Sequence, residues 1–296
     1  MIEVKNVTMK ISDKVVIDNI SLNGFEGRIL GLIGPNGAGK TTLIKCLTGI
    51  YKINSGEILY DKEEVFNNSK IKEDIGYVQD ENTFFTNFKI KDIKKYYKLA
   101  YSNFDEEKFD NIRKLFDISL DKRLFQLSKG MKMRVSILCA LSINAKYLIL
   151  DEPTSGLDVI FKKKFFKILK DEVKNNNLVA IISSHHLNEL ESICDDIVIV
   201  NDGKNIYNGS LTELSEKVKK IQVAFDRPIY EEDFVEFDEI FSLKKVGRVF
   251  TIITKEYNQV FLDKLNKLNP IFIEQINLTL EDMFIYQIEK GGIYEE

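Results

Sequence analysis

The 296-residue chain is poor in cysteine and histidine, has no long apolar run and carries no excess of positive charge. Its three cysteines, Cys46, Cys139 and Cys194, lie far apart, which argues against a disulfide framework and fits a reducing compartment. Each sits among apolar neighbours and reads as a buried core thiol. The two histidines, His185 and His186, are adjacent and point in different directions, a poor metal pair, so no zinc site is expected. No apolar run approaches the roughly 20 residues that span a bilayer as a helix. Met1-Ile2-Glu3-Val4 reads as a strand, without the basic end and apolar middle of a secretion signal. A chain of this kind that serves a membrane has to dock onto a partner. The formal net charge of −4 gives no electrostatic reason to expect nucleic acid. There is no internal repeat and no low-complexity segment. A content of 44% hydrophobic and 30% charged residues fits a folded, soluble protein of one large or two modest domains.

What the chain does contain is centred on Gly34-Pro35-Asn36-Gly37-Ala38-Gly39-Lys40-Thr41, followed by Thr42. This matches the G-x-x-x-x-G-K-[ST] phosphate-binding loop. It follows an apolar strand candidate, 28–33, and precedes a helix candidate, 41–47, which is the context the motif needs. Glycines let backbone N–H groups turn inward around anionic oxygens, and the helix N-terminus adds free donors. Lys40 is placed to reach the β- and γ-phosphates, and the Thr41 hydroxyl to ligate Mg²⁺. The chain is therefore expected to bind a nucleoside triphosphate.

In chain order, 2–8 and 15–22 alternate apolar and polar residues and predict an antiparallel hairpin turning near 12–14. Strands are expected at 57–60 and 75–78. From 90 to 118 the spacing turns helical, with Asn103 or Asp105 as a cap for the second helix. Another helix should begin at Ser128. Tyr147 to Leu150 and Leu178 to Ile182 are fully apolar strands, separated by a helix over 158–174. A helix near 187–193 and strands near 196–200 and 204–208 follow. Apolar strands alternating with helices predict an α/β fold with a mostly parallel, covered sheet. After a helix near 211–219 the pattern changes. Strands at 220–225, 239–245, 249–254 and 270–276, with helices at 257–267 and 279–289, predict a small α+β appendage at 221–296.

Asp151 and Glu152 end the apolar strand at 147–150. An Asp there can hold Mg²⁺ beside the phosphate loop, and the adjacent Glu152 can polarise the attacking water as a general base. Gln79 ends another buried strand, where its carboxamide can give an oxygen to Mg²⁺ and orient water. His185 ends a third and can donate a hydrogen bond to the γ-phosphate; His186 reads as a helix-start residue.

With Leu127-Ser128-Lys129-Gly130-Met131 added, the chain resembles the ATP-binding-cassette (ABC) family over about residues 1–220. The phosphate loop, Gln79, the signature segment 127–131, Tyr147 to Glu152, Ser155-Gly156-Leu157-Asp158 and Ser183-Ser184-His185 occur in the family's order and spacing. The resemblance implies a P-loop NTPase cassette: a mostly parallel core sheet, an antiparallel N-terminal β subdomain, and a helical subdomain at about 80–145. It also implies that ATP and Mg²⁺ are bound between two ATPase subunits, a homodimer or a heterodimer with a related chain. Each site would combine Lys40, Thr41, Gln79, Asp151, Glu152 and His185 of one chain with Ser128 and Gly130 of the other. Mg²⁺ would fall to Thr41, Gln79 and Asp151. Asp158 lies in the family's dimer-contact loop. Two departures stand out. Lys129 and Met131 replace the Gly and Gln of the usual signature, and Lys129 is either solvated or adds positive charge near the nucleotide. The first hairpin turn has no aromatic residue for adenine, leaving Ile11 or Val16.

Leu-Ser-Lys-Gly-Met-Lys, with 101–105, 183–187 and the C-terminal 278–284, resembles the ATPases of bacterial antibiotic- and peptide-efflux systems, including those that export phenol-soluble modulins. This implies the motor subunit of an exporter at the inner face of the plasma membrane. A separate multi-spanning permease would dock near 80–101, with Phe84, Phe85, Phe88, Ile93 and Tyr97 either meeting it or filling the core. The alternative is a soluble ATPase that assembles or regulates a protein partner. A third reading, closure on ATP without hydrolysis, is opposed by the intact Glu152 and His185.

Overall fold

The computed structural model describes residues 1–80 and 85–290, with the side chains of 214, 215, 217 and 286–290 left aside. The chain divides into two compact units, Met1–Asn208 and Gly209–Glu296. The sequence pattern places this junction at 220; the structure assigns the helix at 211–217 to the second unit. Helical periodicity shows that a segment has an apolar face, and it does not show which core that face joins.

The first unit holds two sheets. β1 (Ile2–Ile11) and β2 (Lys14–Gly24) form the expected antiparallel hairpin. β3 (Arg28–Ile33) leads through the phosphate loop into α1 (Lys40–Leu47). β4 (Ser55–Tyr60) and the two-residue β5 (Glu63–Glu64) complete a sheet of order β2-β1-β4-β5. After α2 (Ser69–Glu73) comes β6 (Ile75–Val78). The helical part follows: α3 (Ile90–Ala100), α4 (Glu106–Leu115) and α5 (Lys129–Ser142). Asp105 rather than Asn103 caps α4, its carboxylate accepting from the Lys108 amide at 2.8 Å. Then come β7 (Tyr147–Asp151), α6 (Val159–Asn176), β8 (Val179–Ser184), α7 (Leu187–Glu191), β9 (Asp196–Asn201) and β10 (Lys204–Ser210).

The central sheet runs β10-β9-β3-β8-β7-β6, and the pairs β9–β3, β3–β8, β8–β7 and β7–β6 are parallel. Its inner strands are apolar over most of their length, as a sheet covered on both faces requires, and every residue of β7 and β8 is buried, including Asp151, Ser183 and Ser184 at their ends. One core cluster joins this sheet to the N-terminal one, through Ile2, Val4 and Leu22 with Leu30, Ile149 and Val198. The three cysteines are buried free thiols, and burial raises their pKa, Cys46 to about 12.

The second unit comprises α8 (Leu211–Lys217), β11 (Lys219–Ala224), β12 (Ile240–Val246), β13 (Val249–Thr254), α9 (Gln259–Asn266), β14 (Phe272–Ile276) and α10 (Leu280–Lys290). Its antiparallel sheet has the order β12-β13-β11-β14. Phe225, Phe234, Phe237, Phe250 and Phe261 fill a separate core with Ile221 and Ile252.

Candidate nucleotide site

Parallel strands end on the same side, so the groups at their C-terminal ends meet at one edge of the sheet. The register decides which ones. β8 lies between β3 and β7, with Leu32 beside Ser183, Ile33 beside Ser184 and Ser183 beside Asp151. The carboxylates at the end of β7 are thereby brought towards the phosphate loop that leaves β3.

A cavity of about 310 Å³ opens there, lined by Val16, Asn36, Gly37, Gly39, Lys40, Thr41, Thr42, Asp80, Glu152, Ser155 and His185. Gly39 stands immediately before α1 with φ of +102°. A β-carbon there would also come 2.8 Å from the Ile17 side chain, so glycine is required twice over. Lys40 is buried and its ammonium donates to the carbonyls of Gly34 at 2.7 Å and Pro35 at 3.1 Å. Burial lowers its pKa, while the carboxylates of Glu152 and Asp151 oppose that shift. Ala38 is buried inside the loop and serves as packing.

Asp151 lies beneath the cavity, 1% exposed. Burial raises its pKa above the usual carboxylate value, while hydrogen bonds from Ser183 and Thr41 favour the charged form. The Ser183 hydroxyl donates to Asp151 Oδ1 at 2.7 Å and accepts from the Glu152 amide at 2.9 Å. It therefore fixes both acidic residues, including the left-handed backbone of Glu152, φ 48°. The Glu152 carboxylate meets His185 Nδ1 at 2.8 Å. A carboxylate oriented by an imidazole beside a phosphate loop can activate water. Ser184 accepts from the His186 amide at 2.9 Å and holds the turn after β8, and His186 caps α7 without a side-chain bond.

The sequence-derived residues are not all in one place. Gln79 is absent from the cavity wall. It lines a neighbouring groove of about 540 Å³ with Tyr77, Phe85, Tyr96, Tyr97 and Tyr101, and the next residue, Asp80, faces the cavity instead. Successive side chains at a strand end point to opposite sides, and the motif alone does not tell which side Gln79 takes. Of the other residues expected near this groove, Ile93 is core, Phe88 is 47% exposed, and Phe84 lies outside the described residues. Val16, not Ile11, borders the cavity.

Ser128 and Gly130 are not in the cavity wall; they form the head of α5. The Ser128 hydroxyl caps that helix, accepting from the Met131 amide at 3.3 Å. Gly130 packs so closely on the loop after β7 that a β-carbon would lie 2.4 Å from the Gly156 carbonyl oxygen. Asp158 caps α6 through the Phe161 amide at 2.8 Å and pairs with Arg134 of α5 at 2.6 Å. Sequence reasoning passed over Ser183 as a bridge, Asp80 and Arg134. A serine near the end of an apolar strand carries a local signal, but the carboxylate it holds lies 32 positions away.

The family model described as ABC transporter matches residues 17–155. The chain is 32% identical over 232 residues to the lantibiotic transport ATP-binding protein SrtF of Streptococcus pyogenes, covering 77% of this chain and 99% of that one. It is 28% identical over 305 residues to the bacitracin transport ATP-binding protein BcrA of Bacillus licheniformis, 99% of each chain. Among solved structures, the dimeric ABC transporter cassette MJ0796 aligns with a TM-score of 0.63 at 22% identity, covering 71% of this chain and 99% of that one, which shows a shared fold. The phosphate loop and acidic strand end described above sit inside the segment that these proteins share. The chain belongs to the ATP-binding-cassette transporter family and is one of its ATPases.

Proposed function

We propose that this ATPase is the motor subunit of a bacterial exporter, closing as a head-to-tail dimer on two ATP molecules and driving a separate membrane subunit. The observation that carries the catalytic half is the convergence of Lys40, Thr41, Glu152 and His185 on one cavity, with Glu152 and His185 2.8 Å apart. Glu152 polarises the attacking water, and His185 holds Glu152 and the γ-phosphate. The loop 34–42 binds the phosphates. The buried Asp151 carboxylate hydrogen-bonded to the Thr41 hydroxyl forms a hard oxygen pair that fits Mg²⁺. Bound there, the ion would neutralise phosphate charge. Gln79 adds its oxygen only if the strand end after β6 turns towards the cavity.

The capped head of α5, with the Ser128 hydroxyl and Gly130, supports a second anion site offered to a partner chain. Whether the partner is identical or a related ATPase is set by the assembly. The aromatic groove at Tyr77, Phe85, Tyr96, Tyr97 and Tyr101 supports permease docking, and Gln79 in its wall is one residue from Asp80 in the nucleotide cavity. None of the described helices is long and apolar enough to cross a membrane, so attachment to the inner face of the plasma membrane falls to that partner. The names of SrtF and BcrA favour a peptide or antibiotic cargo.

Glu152→Gln is expected to abolish phosphate release while ATP still binds; near-normal hydrolysis in this variant sinks the catalytic assignment. Co-purification from membranes with a multi-spanning subunit tests the transport half. Recovery only with a soluble protein partner favours an assembly or regulatory ATPase.

A further inference from the structure

Lys129, which stands where the family's signature has glycine, is 52% exposed, lies outside the wall of the nucleotide cavity, and has an acidic partner. Its stem runs along the turn after β7, where a β-carbon on Gly156 would lie 3.4 Å from Lys129 Cγ. Its ammonium pairs with Asp80 at 3.4 Å. Asp80 belongs to the cavity wall that includes Lys40, Thr41 and Glu152. Its Oδ1 is buried and accepts no hydrogen bond among the described residues, where the Lys129 ammonium is its counter-charge. One ion pair thus ties the wall of the chain's own nucleotide cavity to the residue following Ser128, the cap of α5.

We infer that Asp80 and Lys129 form a nucleotide-sensitive latch that holds the signature segment back until a triphosphate enters the same chain's cavity. The chemistry is electrostatic. A γ-phosphate brought in beside Lys40 and Thr41 adds negative charge next to Asp80 and raises the energy of keeping that carboxylate in place. Displacing Asp80 frees a cation at the head of α5. In the dimer reading, on which this rests, that cation then faces the phosphates held by the partner chain. ADP lacks the γ-phosphate and leaves the latch engaged. Lys129 is a positioning residue in this scheme, and Asp80 is the sensor.

The test is a double-mutant cycle in the full chain, in a Glu152→Gln background so that ATP persists: Asp80→Asn, Lys129→Ala and both together. Dimerisation with ATP is followed by sedimentation, and ATP and ADP binding by equilibrium dialysis. Asp80→Asn is expected to lower the ATP concentration for half-maximal dimerisation roughly two- to fivefold, the range open to an exposed ion pair. That gain is expected to vanish where Lys129 is already alanine. Lys129→Ala, which removes the latch and the cation together, is expected to fall short of the Asp80→Asn gain. A gain that persists or grows without Lys129 means direct repulsion between Asp80 and phosphate and overturns the latch, as does no change in Asp80→Asn. Failure of the parent to dimerise removes the sandwich reading by itself. The latch is then decided by the preference for ATP over ADP, which Asp80→Asn should raise with Lys129 present and leave unchanged without it; any other pattern overturns it.

Discussion

Replacing Ser183 by alanine removes one oxygen that serves two acidic residues. The side chain is fully buried and bridges Asp151 Oδ1 at 2.7 Å and the Glu152 amide at 2.9 Å. A hydrogen bond to a charged group contributes about 1.5–3 kcal/mol, and the unpartnered amide adds roughly 1 kcal/mol, so a loss of about 2.5–4 kcal/mol is expected near neutral pH. The loss depends on pH in a definite direction. Burial already raises the Asp151 pKa, and Ser183 is one of the groups that oppose the shift. In the folded protein Asp151 therefore holds its proton to higher pH than in the unfolded chain. Its favourable contribution is complete below the unfolded value and is lost as pH rises through the folded one. Without Ser183 the folded pKa rises further and the charged form is worse tolerated. The deficit of the variant is thus largest above the folded pKa and shrinks to about 1–2 kcal/mol in acid, where the carboxyl is neutral. Urea unfolding read by hydrogen exchange of the β7 and β8 amides reports this sheet separately from the C-terminal unit. A deficit below about 0.5 kcal/mol, or one equal above the folded Asp151 pKa and in acid, refutes the bridge as the main effect. Because the Glu152 backbone loses its anchor, kcat should fall by about tenfold or more while half-saturation by ATP moves little.

Three further outcomes follow from the packing. Gly130→Ala drives a β-carbon to 2.4 Å from the Gly156 carbonyl, so the loop must shift; a cost of about 1–3 kcal/mol by thermal unfolding and a fall in ATPase activity are expected. Asp158→Ala removes the cap of α6 and the Arg134 pair, for about 1–2 kcal/mol, whereas Asp158→Asn keeps the cap and should recover much of it in the same melt. Phe261→Ala opens the aromatic core of the second unit at about 3–5 kcal/mol, read as lost hydrogen-exchange protection in β11 and β13 with β7 and β8 unaffected.

Much of this molecule was legible in its residues because the forces concerned act over a few positions. Helix starts at Asp105, Ser128 and Asp158 are capping events, local by nature. The apolar runs of β3, β7 and β8 could only be covered strands, and the loop from Gly34 to Thr41 carries its glycine requirement in its own backbone. The two-residue β5 and the single-turn α2 are too short to leave a period. What the tertiary structure decided is lateral: that β8 lies between β3 and β7, that Ser183 therefore bridges Asp151 and Glu152, that Asp80 rather than Gln79 faces the cavity, and that Lys129 reaches Asp80. These pairings join residues as far apart as Leu32 and Ser183, 151 positions, and strand order and register, unlike capping or glycine geometry, depend on how the whole sheet packs.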